Sequence, residues 1–336
     1  MLADYITPAS IIKGCKLEDL KKLNARGKLI ALFNFEDRII TLADGARFNI
    51  DRINSKETAE RYKGNRLVEA ASRLKICNQG KIFVDLEDAR DVPLSAYGVV
   101  GNCIQYNRNV RDMHAALFPL NSYIIPSANG LGHADTTKVV DENNFSRKRP
   151  IVYWRGAMSG SRWKTIEGRA GPKLQNLEQG DVSYSRLRAV QIHKNKTYAD
   201  IKLVSEQVPN VPQNLKDLFA PKSPLIEHLM YKYILVLKGN DVGSSLYWAI
   251  STNSLVIKEE SSYETMADYY LSPWRDYVPC AEGATDLHEK FQYLEENENI
   301  CLEIISSANR AYRSILSKES WDHALREMYG RLGLIF

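Results

Sequence analysis

At 336 residues, with 44% apolar and 26% charged residues and a formal net charge of +4, the chain has globular composition and the length of two ordinary domains, which excludes disorder and fibre. No window holds the roughly eighteen uncharged apolar residues of a membrane span, and Asp4, Lys13, Lys16, Glu18 and Asp19 break up the start, so neither an anchor nor a signal peptide is expected. Cys15, Cys77, Cys103, Cys280 and Cys301 are odd in number, widely spaced and without a CxxC pair, which disfavours disulfides and structural zinc and points to a reducing, cytoplasmic setting.

In chain order, "KLIALFNF" (28–35) and "RIITL" (38–42) read as strands, and "ADGARFNI" carries an Asp-Gly turn signal. Residues 55–76 read as a helix with Leu67, Ala70, Ala71 and Leu74 on one stripe. "KIFVDL" (81–86) and "YGVVGNCIQY" follow as strands, with a short helix around Met113 to Leu117. The apolar run in "SYIIPSANGLG" dies in Pro126, Gly130 and Gly132, and the polar segment up to Pro150 is the expected domain boundary.

In the second half "PIVYWRG" is a strand ending in a glycine turn, "SRWKTIEGR" starts a helix, "RLRAVQIH" and "ADIKLVSE" are strand-like, and "SPLIEHLMY" is a short helix. "YILVLKGNDVGSSLYWAISTNSLVIKEE" (233–260) then supplies strand, turn, helix and strand, followed by "DYVPC" and a helix over 286–297. This alternation predicts a parallel sheet with helices on both faces. Leu302, Ile305, Ala308, Tyr312 and Ile315, then Trp321, Leu325, Met328 and Leu332, recur at helical spacing and predict two closing helices.

Ligands of open parallel sheets sit beyond the carboxyl ends of the strands, which directs attention to the turn Lys238 to Ser245. Gly239 and Gly243 allow close backbone approach, and the amides of Ser244 and Ser245 would be donors for an anion such as a diphosphate. A glycine turn with a serine cap accounts for the same residues. "YWRGAMSGSR" (153–162) repeats the architecture, with Ser159 and Gly160 between Arg155 and Arg162, whose forks match phosphate oxygens. The alternative for Arg155 is a structural ion pair.

"IFVDLEDARDVP" (82–93) ends a strand in Asp85, Glu87, Asp88 and Asp91. A carboxylate there suits a general base, an oxygen-ligated divalent ion, or turn capping. The six histidines show no metal spacing, no G-x-S-x-G elbow is present, and the densest basic patch, "FSRKRP" (145–150), is too small to imply nucleic acid. A slightly basic surface would add about 1 kcal/mol per basic residue to attraction by anionic lipid headgroups.

The series "VDLEDARDVP", "IPSANGLG", "IVYWRGAMSGSR", "YKYILVLKGNDVGSSLYWAISTNSLVIKEE" and "LSPWRDYVPC", followed by "DLHEKFQYLEENENICLEIISSANRAY", resembles the CAP10-like glycosyltransferases of family 90, most of all the bacterial lipopolysaccharide branch. The resemblance covers roughly residues 80–315. It implies an α/β, GT-B-like fold of two Rossmann-like lobes with a cleft between them: an acceptor-side lobe over 1–140, a donor lobe over 141–305, and closing helices over 306–336. It implies an inverting transfer of a hexose from a nucleotide diphosphate sugar, in particular a UDP-sugar, to a glycan or glycolipid, with no cofactor and no obligatory metal.

Asp88 matches the family's base, and Arg155, Gly156, Ser159, Arg162, Lys238, Gly239, Asn240, Asp241, Gly243, Ser244 and Ser245 match its diphosphate cradle. Glu264 matches a carboxylate for the ribose hydroxyls. Cytoplasmic location at the inner face of the membrane, and no nucleic-acid partner, complete the expectation. One departure stands out: Rumi-type relatives carry an arginine at the start of the helix after the glycine turn, and here none lies between Gly239 and Trp274.

Overall fold

Among the described residues, two six-stranded sheets carry the fold. A computed structural model describes residues 1–8, 30–60, 64–87, 103–112, 115–119, 140–160, 162–165, 168–208 and 210–336. The first lobe contains β1 (Ile30–Asn34), β2 (Ile39–Leu42), β3 (Arg47–Asn49), β4 (Lys81–Asp85), β5 (Cys103–Gln105), β6 (Asn107–Asn109) and β7 (Ala115–Leu117). Its sheet has the order β3-β2-β1-β4-β5-β7. The short connections from β1 to β3 permit only antiparallel pairing. Gly45, at φ +88°, and Asp44, which accepts from the Ala46 amide at 3.0 Å, form the turn that the Asp-Gly pair predicted. Only β4, β5 and β7 run parallel, so this sheet is mixed. The helix Gly64–Leu74 buries the predicted stripe of Leu67, Ala70, Ala71 and Leu74.

The second lobe contains β8 (Arg149–Gly156), β9 (Arg162–Thr165), β10 (Gly168–Ala170), β11 (Ala199–Val204), β12 (Phe219–Ala220), β13 (Tyr231–Val236), β14 (Leu255–Glu259), β15 (Tyr263–Thr265) and β16 (Val278–Cys280). Its sheet, β12-β11-β8-β13-β14-β16, is parallel throughout. Counted within the sheet, that is the dinucleotide-binding strand order, whose direction reverses between β8 and β13. Val152, Trp154, Tyr233 and Leu235 fill one face, while Ile234, Val236 and Val256 fill the other.

Among the described residues, the helix expected over 55–76 is shorter, with turns over 55–60 and helix only over Gly64–Leu74, and three segments take a different type of structure from the sequence reading. Ala115–Leu117, expected as helix, is the strand β7, and its three apolar residues are all buried. Within "SRWKTIEGR", expected to open a helix, the described residues form strands: Arg162–Thr165 (β9) pairs antiparallel with Gly168–Ala170 (β10). "RLRAVQIH", expected as strand, lies in the helix Ser185–Ile192. Leu187 and Ala189 suggest alternation, but Leu187 and Val190 also lie one helical turn apart, and all three are buried.

The ribbon β6–β15 joins the lobes, pairing Asn107 with Thr265, Arg108 with Glu264 and Asn109 with Tyr263. Since β6 directly follows β5 and β15 closely follows β14, the carboxyl ends of both sheets run into one ribbon. The helix Glu298–Leu316 begins on the second lobe, burying Cys301, Ile304 and Ile305, and continues into the cluster that both lobes share. The boundary expected at 305/306 therefore falls inside a helix, and Leu302, placed on its apolar stripe, is exposed. The helix Lys318–Arg331 adds Trp321, Leu325 and Met328 to the shared cluster, and Ile335 bridges back to Gln79.

Candidate active site

At the switch point β8 and β13 end side by side, and each runs into a glycine turn. A Cβ on Gly156 would lie 2.2 Å from the Trp154 ring, so only glycine lets the chain pass that indole. A Cβ on Gly243 would meet Val236 Cγ1 at 2.5 Å and the Leu237 carbonyl at 2.8 Å, because the second turn curls back onto its own strand. The helix after it, Leu246–Ala249, is a single turn, and Ser245 makes no side-chain cap bond. Backbone geometry of the two turns, more than a helix dipole, therefore shapes this crevice.

Two side chains tie the turns together. Gly160 donates its amide to Asn240 Oδ1 at 3.4 Å. Arg186, from the helix Ser185–Ile192, donates Nη1 to the Ala157 carbonyl at 3.0 Å and to Ser159 Oγ at 2.7 Å on the first turn. On the second turn it donates Nε to the Lys238 carbonyl at 3.0 Å and Nη2 to the Leu237 carbonyl at 3.2 Å. Burial pulls its pKa down to about 10 against the opposing pull of Glu259 and Asp241, so the guanidinium stays cationic at neutral pH.

Glu259, buried at the end of β14, fixes the turn from below. Its Oε2 accepts the Lys238 amide at 2.9 Å, while Oε1 accepts the Gly283 amide at 3.0 Å and the Ser185 hydroxyl. The Lys238 ammonium lies 3.9 Å from Glu259 and 3.5 Å from Glu282. Asp241, also buried, accepts from Asn107 Nδ2 at 2.6 Å, so β6 of the first lobe touches the second turn directly.

Ser159, Gly160, Lys238, Gly239, Asn240, Asp241, Gly243, Ser244 and Ser245 thus lie in or beside one crevice. Arg155 points elsewhere: it donates to Asp200 Oδ2 at 2.7 Å and to the Asp200 carbonyl at 3.0 Å, and it packs 4.4 Å over the Tyr153 ring. Its contacts are those of the structural ion pair, not of the cradle. Glu264 is likewise engaged, accepting from Arg108 Nε at 2.7 Å and from the Tyr5 hydroxyl at 2.6 Å, so it ties the lobes together. Arg162 lies on β9.

Asp88, Asp91 and Ser161 lie outside the described residues. Asp85, buried at the end of β4, accepts from the Glu87 amide at 3.0 Å and so caps the chain as it leaves the strand. No group of three or more metal-ligating side chains occurs among the described residues.

Beside the second turn a small recess is lined by Lys238, Val242, Gly243, Tyr247, Lys258 and Tyr263. It opens between the turn and the ribbon. Arg186 and Glu259 escaped the sequence reading. Arg186 fell in a segment read as strand, whereas Glu259, a lone carboxylate closing an apolar run, carried the same signal as Asp85.

The chain matches the profile of Glycosyl transferase family 90 over residues 130–322, more than half its length. O-glucosyltransferase LpsA of Dichelobacter nodosus is 35% identical over 83 residues, 24% of this chain and 26% of that one. Protein O-glucosyltransferase 3 of Homo sapiens is 26% identical over 160 residues, 45% of this chain and 31% of that one. The matches thus span a third or less of these relatives. Among solved structures, a glycosyltransferase from Rickettsia africae superposes with a TM-score of 0.38 at 10% identity, covering 69% of this chain and 63% of the other.

Proposed function

The chain belongs to glycosyl transferase family 90, and from that premise we propose that it transfers a hexose from a nucleotide diphosphate sugar to a hydroxyl of a bacterial surface glycan such as lipopolysaccharide core. The observation that carries this reading is the pair of glycine turns at the strand-order reversal of a parallel sheet, where such folds bind nucleotides. UDP-glucose is the first donor to test, since two relatives are named as glucosyltransferases, and UDP-galactose is the second.

Asp88 takes the proton of the acceptor hydroxyl. The acceptor oxygen then bonds to the anomeric carbon from the face opposite the donor phosphate. The bond from that carbon to the phosphate oxygen breaks, its electron pair leaving with the nucleoside diphosphate, and the configuration inverts. Turn amides and Lys238 meet the negative charge that grows on the leaving group, fixed dipoles aimed at the transition state, and Arg162 is the further cation that the family resemblance assigns to the cradle. No helix among the described residues is long and apolar enough to cross a membrane; a cytoplasmic enzyme working at the inner membrane surface on a glycolipid fits this reading.

A thermal-shift screen against UDP, UDP-glucose, UDP-galactose, UDP-xylose, GDP-mannose and dTDP-sugars, with and without chelator, tests it, because a ligand of the folded state raises apparent stability. Stabilisation by one nucleotide that survives chelator supports the metal-independent reading. Silence with every nucleotide overturns the transferase reading. Asp88→Asn is expected to keep donor binding and lose turnover by about a hundredfold or more; near-normal turnover removes Asp88 from the mechanism.

A further inference from the structure

The family resemblance left the second turn without the arginine that relatives carry after it, and Arg155 is occupied by Asp200. We propose that Arg186 is a positioning residue of the donor site, locking the turns after β8 and β13 into one diphosphate cradle and supplying a cation beneath it. The inference rests on the donor-site reading above and deepens it.

Four hydrogen bonds carry the argument, two to each turn: Ala157 O and Ser159 Oγ on the first, Leu237 O and Lys238 O on the second. Three of these acceptors are backbone carbonyls. An anion lying over the turns would be repelled by carbonyl oxygens turned towards it, and Arg186 engages these three on its own guanidinium.

Gly239 supports the same assignment. A Cβ there would sit 3.1 Å from Arg186 Nη2 and 3.4 Å from Ser159 Oγ, so the chain crosses the guanidinium at the one residue without a side chain. Trp154 flanks the group, with the guanidinium carbon 5.4 Å from its ring centroid. A planar fork can hold four acceptors on two separate segments at once, whereas an ammonium on a flexible stem cannot reproduce that spread. Hence Arg186→Lys keeps the charge and loses the lock.

The test compares UDP with uridine, titrated into wild type, Arg186→Lys and Gly239→Ala. Arg186→Lys is expected to weaken UDP about tenfold or more, the loss associated with charge-assisted hydrogen bonds, and to leave uridine within about twofold. Gly239→Ala, which keeps the arginine and crowds it, is expected to weaken UDP in the same direction by less. Should Arg186→Lys fail to fold, Gly239→Ala decides by the same comparison. Equal losses for UDP and uridine, or no loss for either, overturn the role of Arg186 while the donor site stands. A wild type that binds no UDP removes the UDP-site reading itself, and this inference falls with it.

Discussion

Glu259→Gln is the perturbation in which the local geometry makes the sharpest demand. The carboxylate is fully enclosed and accepts from two backbone amides through different oxygens: Lys238 N on Oε2 and Gly283 N on Oε1. An amide side chain of the same shape has one acceptor and one NH₂, so either orientation sets a donor against a backbone donor. The Ser185 hydroxyl can rotate to accept from the NH₂, but neither backbone amide can. One buried N–H is then left without an acceptor, costing about 1–3 kcal/mol, and the surviving bonds lose their ionic character, so about 2–4 kcal/mol is expected in all. Urea unfolding should show a lower midpoint at unchanged slope. Because the lost contact holds Lys238 in the turn, UDP affinity should fall as well. A midpoint within about 0.5 kcal/mol of wild type would refute the claim that Glu259 anchors the turn.

Burial, assisted by the Arg155 charge, lowers the His228 pKa to about 4, whereas the unfolded chain titrates near 6.5. Protonation therefore favours the unfolded state: the contribution is complete above about pH 6.5 and is lost as pH falls towards 4, by roughly 3 kcal/mol at most. His228→Gln should flatten the pH dependence of unfolding free energy in that window, and an unchanged slope would contradict the assignment. Gly156→Ala forces the Trp154 ring to move and should destabilise by about 1–3 kcal/mol, read from denaturant midpoints, with weakened UDP binding. Arg155→Ala should lower stability by about 1–2 kcal/mol while UDP affinity, by calorimetry, stays within about threefold, because its partner is Asp200 and not the crevice.

What could be read from the sequence was what depends on near neighbours. The runs ending at Asp85, Gly156, Val236 and Glu259 are strands because each is a short apolar stretch closed by a turn signal. Gly239 and Gly243 stood out as sites of close approach, and each passes a neighbour closely: Gly239 the Arg186 guanidinium, Gly243 the Val236 side chain. What could not be read depends on partners distant in sequence. Nothing beside Arg155 announces that Asp200 will lie across the sheet. Nothing in "SRLRAV" reveals that its first arginine will reach both turns. The three misread segments are short, and in so few residues the periods of helix and strand overlap.

The way the lobes are joined bears on how such a site operates. Domains linked by a thin polar contact are expected to swing, and a large apolar interface removes that freedom. Here Ile234, Val236 and Val256 of the second sheet share one continuous cluster with Phe33, Ile82 and Ile104 of the first lobe and with Ala308, Trp321 and Met328 of the closing helices. Separating the lobes would expose that cluster, break the β6–β15 ribbon and strip Asp241 of Asn107, and it would cut Glu264 from Arg108 and Tyr5. At roughly 25 cal/mol per Å² of apolar surface, even a few hundred Å² of exposure would cost several kcal/mol, more than the coupling energies that commonly drive ligand-induced change. The distance between the carboxyl ends of the two sheets is accordingly set by folding.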